Sequence, residues 1–142
     1  MLKLTKRSEY GIMAMKYIAM QSNGNGNIVK TCSARSIADY FNIPPEIMAK
    51  ILQKLVRRGL IISQKGKNGG YNLSKKPHDI SVGDIIMALE DCMNIVDCST
   101  EKGLNCDQLG VCAIENPMKR IQKDLNNYFN NITLTDLVKT ED

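Results

Sequence analysis

The stretch "NIPPE" at residues 42–46 separates two segments of helical periodicity and restricts the fold more than any other feature. The successive prolines Pro44 and Pro45 stop the preceding helix, and the second is suited to the first turn of the next. Upstream, Ser33 is a good N-cap for the helix "ARSIADYF". The sequence therefore predicts two helices joined by a tight turn.

The second helix is predicted from about Pro45 to Arg58 and is amphipathic. We expect its buried side to carry Ile47, Met48, Ile51, Leu52, Leu55 and Val56, and its outward side to carry Lys50, Gln53, Lys54 and Arg57. After Gly59, the apolar runs "LIIS" and "GYNL" flank "QKGKNG", a pattern typical of a β-hairpin. A helix-turn-helix followed by a hairpin predicts a winged helix, whose second helix enters the major groove of DNA.

Charge is distributed unevenly along the chain. Between Ile47 and His78 there are eight basic residues and no acidic one, whereas the rest has 11 basic and 15 acidic residues. An acid-free segment on the predicted helix and hairpin indicates a surface for a polyanion, although a solvated surface would have the same composition. The candidate DNA-contacting side chains are Lys50, Lys54, Arg57, Lys65 and Lys67.

Further helices are predicted on both sides of this unit. One runs from Thr5 to about Gln21, and another begins at Ser81, which with Asp84 resembles a capping box. A longer helix is predicted to Phe129, with Asn116 as cap and Pro117 at its first position. Its apolar stripe is Met118, Ile121, Leu125, Tyr128 and Phe129. Such a stripe predicts a homodimer interface, which a pseudo-palindromic DNA site requires, or else packing on its own domain.

These elements predict a mainly α fold. We expect a winged helix-turn-helix domain at residues 1–91, a cysteine-rich loop at 92–115, and a dimerisation helix and tail at 116–142. The apolar stretch "GIMAMKYIAM" is interrupted by Lys16 and is too short to cross a membrane. We therefore expect no membrane partner and a cytoplasmic location, where thiols stay reduced.

Three of the five cysteines fall within "CSTEKGLNCDQLGVC". They are Cys98, Cys106 and Cys112, in a stretch too rich in polar residues to order itself by apolar packing. The C-x2-C spacing typical of structural zinc sites is absent from this stretch. Three thiolates on a loop suit an iron–sulfur cluster, which tolerates wider spacing, while zinc binding and redox chemistry stay open.

The hairpin segment "KGKNGGYNL", the stretch "ALEDCMNIVDCSTEKGLNCDQLGVC" and the tail "NNITLTDLV" closely resemble the family of bacterial winged-helix regulators that includes IscR and NsrR. The resemblance implies that Cys98, Cys106 and Cys112 hold an iron–sulfur cluster whose state sets the affinity for promoter DNA. Cys92 and Cys32 lie outside this triad. We expect Cys92 to be a packed thiol or an alternative ligand, and Cys32 to be inert.

The resemblance also bears on the fourth cluster ligand. IscR-like members use a histidine three residues after the last cysteine, where this chain has Glu115. NsrR-like members use an acidic residue of the first helix, donated by the partner subunit, and Glu9 occupies that position in "LTKRSEYGI". The chain is therefore more similar to NsrR, with a [4Fe–4S] cluster favoured and [2Fe–2S] as the alternative. By the same resemblance, Glu46, Ala49 and Lys50 stand at base-reading positions.

We therefore expect a dimeric DNA-binding repressor whose cluster senses nitric oxide, redox state or iron–sulfur status. A cluster-free repressor that responds to a metabolite or protein partner is one alternative, and a thiol–disulfide sensor is another. An enzyme is disfavoured because the chain has no glycine-rich phosphate loop, and its single histidine, His78, follows the basic hairpin.

Overall fold

The structure is a computed structural model that describes residues 2–22, 30–96 and 106–140. Its elements are α1 (Lys6–Met20), α2 (Ala34–Phe41), α3 (Pro45–Arg57), β1 (Ile61–Gln64), β2 (Gly70–Leu73), a 3-10 turn (Pro77–Asp79), α4 (Val82–Glu90), α5 (Glu115–Asn131) and α6 (Leu134–Lys139). None of the helices in these ranges has the length and apolar content needed to cross a membrane. The mainly helical fold with one two-stranded sheet confirms the predicted winged helix-turn-helix.

Local signals account for the helix-turn-helix. The Ser33 side chain accepts a hydrogen bond from the Ser36 backbone N at 3.0 Å and caps α2. Helix α2 ends at Phe41, and its C-cap Asn42 is left-handed at φ +56°, a conformation that asparagine tolerates better than most residues. Pro45 then occupies the first position of α3, where its missing N–H costs nothing.

One side of helix α3 is buried in the core, and this buried side is narrower than predicted. Met48, Ile51, Leu52 and Leu55 are buried, whereas Ile47 is 44% exposed, so its expected burial is wrong. At about 100° per residue, the six apolar positions of α3 span roughly half of the helix circumference. Ile47 lies at one edge of that arc, beyond the surface that the neighbouring helices cover.

The wing is an antiparallel hairpin in which Ile61 pairs with Leu73 and Gln64 with Gly70. It is docked on the chain before α2 by two backbone hydrogen bonds, from Tyr71 N to Cys32 O at 2.7 Å and from Cys32 N to Tyr71 O at 3.2 Å. Gly70 allows this approach, since it has φ +151° and a Cβ there would lie 2.7 Å from Cys32 O. The wing is therefore held at a defined position relative to α2.

Helix α4 lies in the core and ends abruptly. The predicted capping box is present, because Asp84 N donates to Ser81 Oγ and Ser81 N donates to Asp84 Oδ2, each at 3.0 Å. Leu89 is fully buried, and the helix ends at Glu90. The next residue, Asp91, is left-handed at φ +63° and redirects the chain into the cysteine-rich loop.

Helix α5 begins at Glu115, so Asn116 is not its cap and Pro117 is its third residue, not its first. Proline is tolerated there because the N–H groups of the first turn have no partner within the helix. The tail then returns to the winged domain. Leu134 is fully buried and its backbone N donates to Ile80 O at 2.9 Å. The chain after α5 is therefore part of the domain core.

Candidate DNA interface and cysteine site

Most of the predicted DNA-contacting side chains are accessible. Glu46, Lys50 and Arg57 are exposed along α3, and Ala49 is partly exposed between them. The wing lysines Lys65 and Lys67 are exposed on either side of Gly66 in the turn. The helix and the wing thus present their basic side chains to solvent from two adjacent elements.

The first turn of α1 adds two cations that the sequence analysis missed. Lys6 and Arg7 line one open groove together with Lys50, Lys54 and Arg57 of α3. The signal in the sequence was the basic pair after Thr5, the residue that caps α1. Its position beside α3 depends on packing between helices that are far apart in the chain.

Lys54 lines this groove but is less exposed than predicted, because its side chain turns toward the end of α4. Its Nζ donates to Leu89 O at 2.8 Å and lies 3.6 Å from an Asp91 carboxylate oxygen, and its side chain is 25% exposed. Arg7 Nη1 donates to the same Leu89 carbonyl at 3.2 Å. Carbonyls at a helix C-terminus lack partners within the helix and carry partial negative charge, which favours cations.

The last turn of α4 and Asp91 after it are contacted by both α1 and α3. Arg58, which follows α3, forms an ion pair with the Asp91 carboxylate. From the opposite direction, Ser8 Oγ donates to Glu90 Oε1 at 3.0 Å, and Thr5 Oγ1 donates to the same oxygen. Helices α1 and α3 are thus both joined to the residues that lead directly into the cysteine-rich loop.

Two cysteines of the triad lie in the described part of the chain. Cys106 and Cys112 are partly buried and are not in disulfides. Residues 107–111 form turns between them, with Gly110 at φ +87°, and Cys106 Sγ lies 3.4 Å from Gln108 Oε1. Cys98 lies outside the described residues. No group of three potential ligands that could hold a metal ion occurs within the ranges that the structure describes.

The other two cysteines, Cys32 and Cys92, differ sharply in their exposure to solvent. Cys32 is buried, and burial raises the pKa of its thiol because it disfavours the thiolate. Cys92 is exposed, so the expectation of a packed thiol is wrong. The reason is the left-handed Asp91, which carries the chain away from the apolar face of α4.

The two carboxylates among the candidate fourth ligands are each paired with a lysine. Glu9 lies on the first turn of α1, where Lys6 Nζ donates to its carboxylate at 2.8 Å, and its side chain is 41% exposed. This hydrogen bond and the charge of Glu9 raise the pKa of Lys6. Glu115 accepts from Lys119 Nζ at 2.6 Å. Glu9 is the more accessible of the two carboxylates.

Gln122 of α5 anchors the beginning of the cysteine-rich loop. Its side chain is buried, and its Oε1 accepts from Ile95 N at 2.7 Å. Its Nε2 donates to Met93 O and to Asn126 Oδ1, the latter at 2.8 Å. One side chain therefore satisfies two backbone groups of the loop.

The apolar stripe of α5 is partly uncovered. Ile121 is 50% exposed and Tyr128 is 64% exposed. The other members are partly buried, namely Met118, Leu125 and Phe129. An uncovered stripe along a helix of 17 residues is a surface suited to burial against another chain.

The fold and the basic groove define a winged helix-turn-helix DNA-binding regulator with a cysteine-bearing loop. The profile of the Rrf2 family, described as iron-dependent transcriptional regulators, matches residues 4–140, and the chain belongs to this family. The resemblance identified from the sequence is thereby confirmed. Because the family consists of transcriptional regulators, the expectation of a non-enzyme is confirmed as well.

Individual relatives cover almost the whole chain. The HTH-type transcriptional regulator NsrR of Shouchella clausii is 27% identical over 141 residues, which are 99% of this chain and 91% of that protein. The structure of CymR of B. subtilis has a TM-score of 0.74 at 27% identity and covers 100% of both chains. That of T. potens IscR has a TM-score of 0.72 at 26% identity and covers 97% of this chain and 87% of that one.

Proposed function

We propose that this regulator is a homodimeric repressor whose affinity for a pseudo-palindromic promoter site is set by an iron–sulfur cluster. The observation that carries the proposal is the presence of two unpaired, partly buried thiols, Cys106 and Cys112, on the turn-rich loop between α4 and α5. Its support from relatives is the match to a family described as iron-dependent regulators.

The chemistry of these donors fits a cluster. Thiolates are soft ligands that suit iron–sulfur clusters, and we assign Cys98, Cys106 and Cys112 as three of them. Glu9, donated across the dimer, is the proposed fourth ligand, with Glu115 and Cys92 as alternatives. A [4Fe–4S] cluster is favoured over [2Fe–2S]. Such a group would make the protein responsive to nitric oxide, redox state or iron–sulfur status.

The state of the cluster would change the affinity for DNA by changing the distance between the α3 helices of the two subunits. The stripe of α5 pairs two subunits and sets the separation of their α3 helices, which must match half-sites about one helical turn apart. Glu9 on α1 of one subunit would bind the cluster held by the cysteine-rich loop of the other subunit. This link would fix the angle between the two winged domains, and its loss would change that angle. A coupling of ~1–3 kcal/mol between the two sites would change affinity about 5- to 150-fold.

The proposed DNA contacts are side chains that are accessible on α3 and on the wing. Glu46, Ala49 and Lys50 are proposed to face base edges, with Ala49 limited to apolar contact such as a thymine methyl group. Arg57, Lys65 and Lys67 are proposed phosphate contacts. Lys54 was predicted as another, but its hydrogen bond to Leu89 O favours a role in positioning α3.

The test measures the affinity for DNA of the protein with iron and of the protein without iron. Fluorescence anisotropy would follow binding to a duplex enriched from a randomised pool by the anaerobically purified protein, before and after removal of iron. We expect affinity to change at least about fivefold in the wild type. Cys106→Ser and Cys112→Ser should stay at the iron-free value. Cys92→Ser tests the fourth ligand, and it should behave like the wild type because Glu9 is proposed for that role. Equal affinity of both wild-type forms would contradict the proposal.

A second candidate is a thiol-based or cluster-free regulator. It is favoured by the exposure of Cys92, which like Cys106 and Cys112 is not in a disulfide, and by the likeness to CymR, described as the global cysteine regulator of B. subtilis. Reversible disulfides on oxidation would support the thiol-based form. A colourless, iron-free protein with full DNA affinity would support a repressor that answers to a metabolite or protein partner.

A further inference from the structure

We propose that residues 91–95, here called the bridging segment, couple α5 to the recognition helix α3, with Asp91 as the positioning residue. The inference rests on the proposed function in that α3 is taken to read DNA. It adds a route by which the cysteine-rich loop acts within one subunit, in addition to any effect on the spacing between subunits.

The first end of the bridging segment is fixed to α3 by charge. The Asp91 carboxylate forms an ion pair with Arg58 and lies 3.6 Å from Lys54 Nζ. Lys54 is held more firmly because it also donates to Leu89 O at 2.8 Å. The Asp91 carboxylate thus holds two cations from the end of the recognition helix close to the end of α4.

The backbone at Asp91 favours this arrangement. Aspartate and asparagine are among the few residues other than glycine that readily adopt the left-handed conformation found here at φ +63°. This conformation ends α4 and turns the carboxylate toward Lys54 and Arg58. The residue that directs the chain into the loop is therefore also the residue that holds α3.

The second end of the bridging segment is fixed to α5. Buried Gln122 accepts from Ile95 N at 2.7 Å and donates to Met93 O. Buried hydrogen bonds of this kind resist displacement because the freed groups have no water to replace the lost partner. A displacement of α5 is therefore transmitted to Asp91 over four residues.

Release of Asp91 has a definite consequence for DNA binding. Arg58 is held by the Asp91 carboxylate while the ion pair persists, and once freed it becomes available to phosphates, whereas Lys54 keeps its hydrogen bond to Leu89 O. An additional phosphate contact strengthens binding to all sequences by a similar factor and makes binding more dependent on salt. The bridging segment thus limits sequence-independent binding while it stays in place.

The decisive variant is Asp91→Asn, which removes the charge and retains the left-handed conformation. Binding would be titrated against salt on a duplex enriched from a randomised pool and on poly(dI-dC). We expect the salt slope to steepen by about one, because Arg58 is freed. Affinity for both DNAs should rise by a similar factor of about two- to fivefold, the range for partly exposed ion pairs. Asp124→Asn on α5, which also removes one carboxylate, should change neither quantity.

Two further variants isolate the cause. Asp91→Gly also keeps the backbone conformation and removes the carboxylate, so it should reproduce Asp91→Asn even if the latter folds poorly. In a background carrying Lys54→Gln and Arg58→Gln, Asp91→Asn should have no remaining effect, as a double-mutant cycle requires for coupled groups. A mere change in stability would move neither the salt slope nor this coupling.

The failure of the inference differs from the failure of the proposed function. If Lys50→Ala weakens binding to the enriched duplex while Asp91→Asn and Asp91→Gly match the wild type in salt slope and affinity, the role of Asp91 is wrong and α3 still reads DNA. If Lys50→Ala has no effect on affinity, the assignment of α3 as the DNA-reading helix is wrong and the inference falls with it.

Discussion

Leu89 of α4 packs its side chain directly on Gly11 of α1, and a Cβ at Gly11 would overlap Leu89 Cδ1. Alanine would gain about 1 kcal/mol of helix propensity over glycine, but overpacking in a filled core costs about 1–3 kcal/mol. We therefore expect Gly11→Ala to lower the free energy of unfolding in urea denaturation. Leu89→Val should relieve the overlap, so additive effects of the two substitutions would contradict this packing.

Gln122 should contribute to stability well beyond an ordinary glutamine of α5. Gln122→Ala would leave Met93 O and Ile95 N without their side-chain partner, and an unsatisfied buried polar group costs about 1–3 kcal/mol. Urea denaturation would measure this loss. Lys123→Ala, at the next and exposed position, is the matched control and should stay within about 0.5 kcal/mol of the wild type. Equal stability of the two variants would show that the anchor contributes nothing.

The apolar stripe of α5 should hold the dimer together. Ile121→Lys places a charge in the middle of the proposed interface, where burying an unpaired charge is strongly unfavourable. We expect sedimentation velocity to show a dimer for the wild type and a monomer for this variant. Asn127→Lys, which adds the same charge on another face of α5, should remain dimeric. A dimeric Ile121→Lys protein would place the interface elsewhere.

The wing should contribute to affinity without contributing to sequence preference. Lys65→Ala is expected to weaken binding by a similar factor on different duplexes and to reduce the salt slope by about one, because one phosphate contact is lost. Lys139→Ala on α6 serves as the control. An unchanged slope for Lys65→Ala would remove this lysine from the set of phosphate contacts.

The cysteines should differ in reactivity according to burial. Because burial raises the pKa of the Cys32 thiol, little of it is thiolate near neutral pH, and the thiolate is the reactive form. We expect iodoacetamide to modify Cys92 in the native protein and Cys32 only after unfolding, with sites assigned by peptide mass spectrometry. Rapid labelling of native Cys32 would contradict its burial under the wing.

The helix-turn-helix and the wing could be predicted from the sequence because their signals are local. Ser33, the proline pair and the turn "QKGKNG" each act within a few residues of their own position. The burial of Ile47 was predicted wrongly because periodicity gives the direction of an apolar face but not its width. Helix α6 was missed although Thr133 and Asp136 form a capping box, a signal that was present in the sequence.

The contacts that organise the candidate site could not be predicted in this way. Lys54 and Asp91 are brought together by the packing of α3 against the end of α4, whereas the amphipathic periodicity of α3 placed Lys54 on the solvent side. The exposure of Cys92 depends on the single left-handed residue before it. Both features arise from tertiary geometry, which a linear pattern of apolar and charged residues does not encode.

The most direct test of the cluster proposal is native mass spectrometry of the anaerobically purified protein. We predict a dimer that carries one iron–sulfur cluster mass per chain, with the mass giving the number of irons. Cys106→Ser and Cys112→Ser should lose the cluster, and Glu9→Ala should retain it less firmly. A wild-type dimer that contains only zinc or no metal, even after anaerobic cluster reconstitution, would contradict the account.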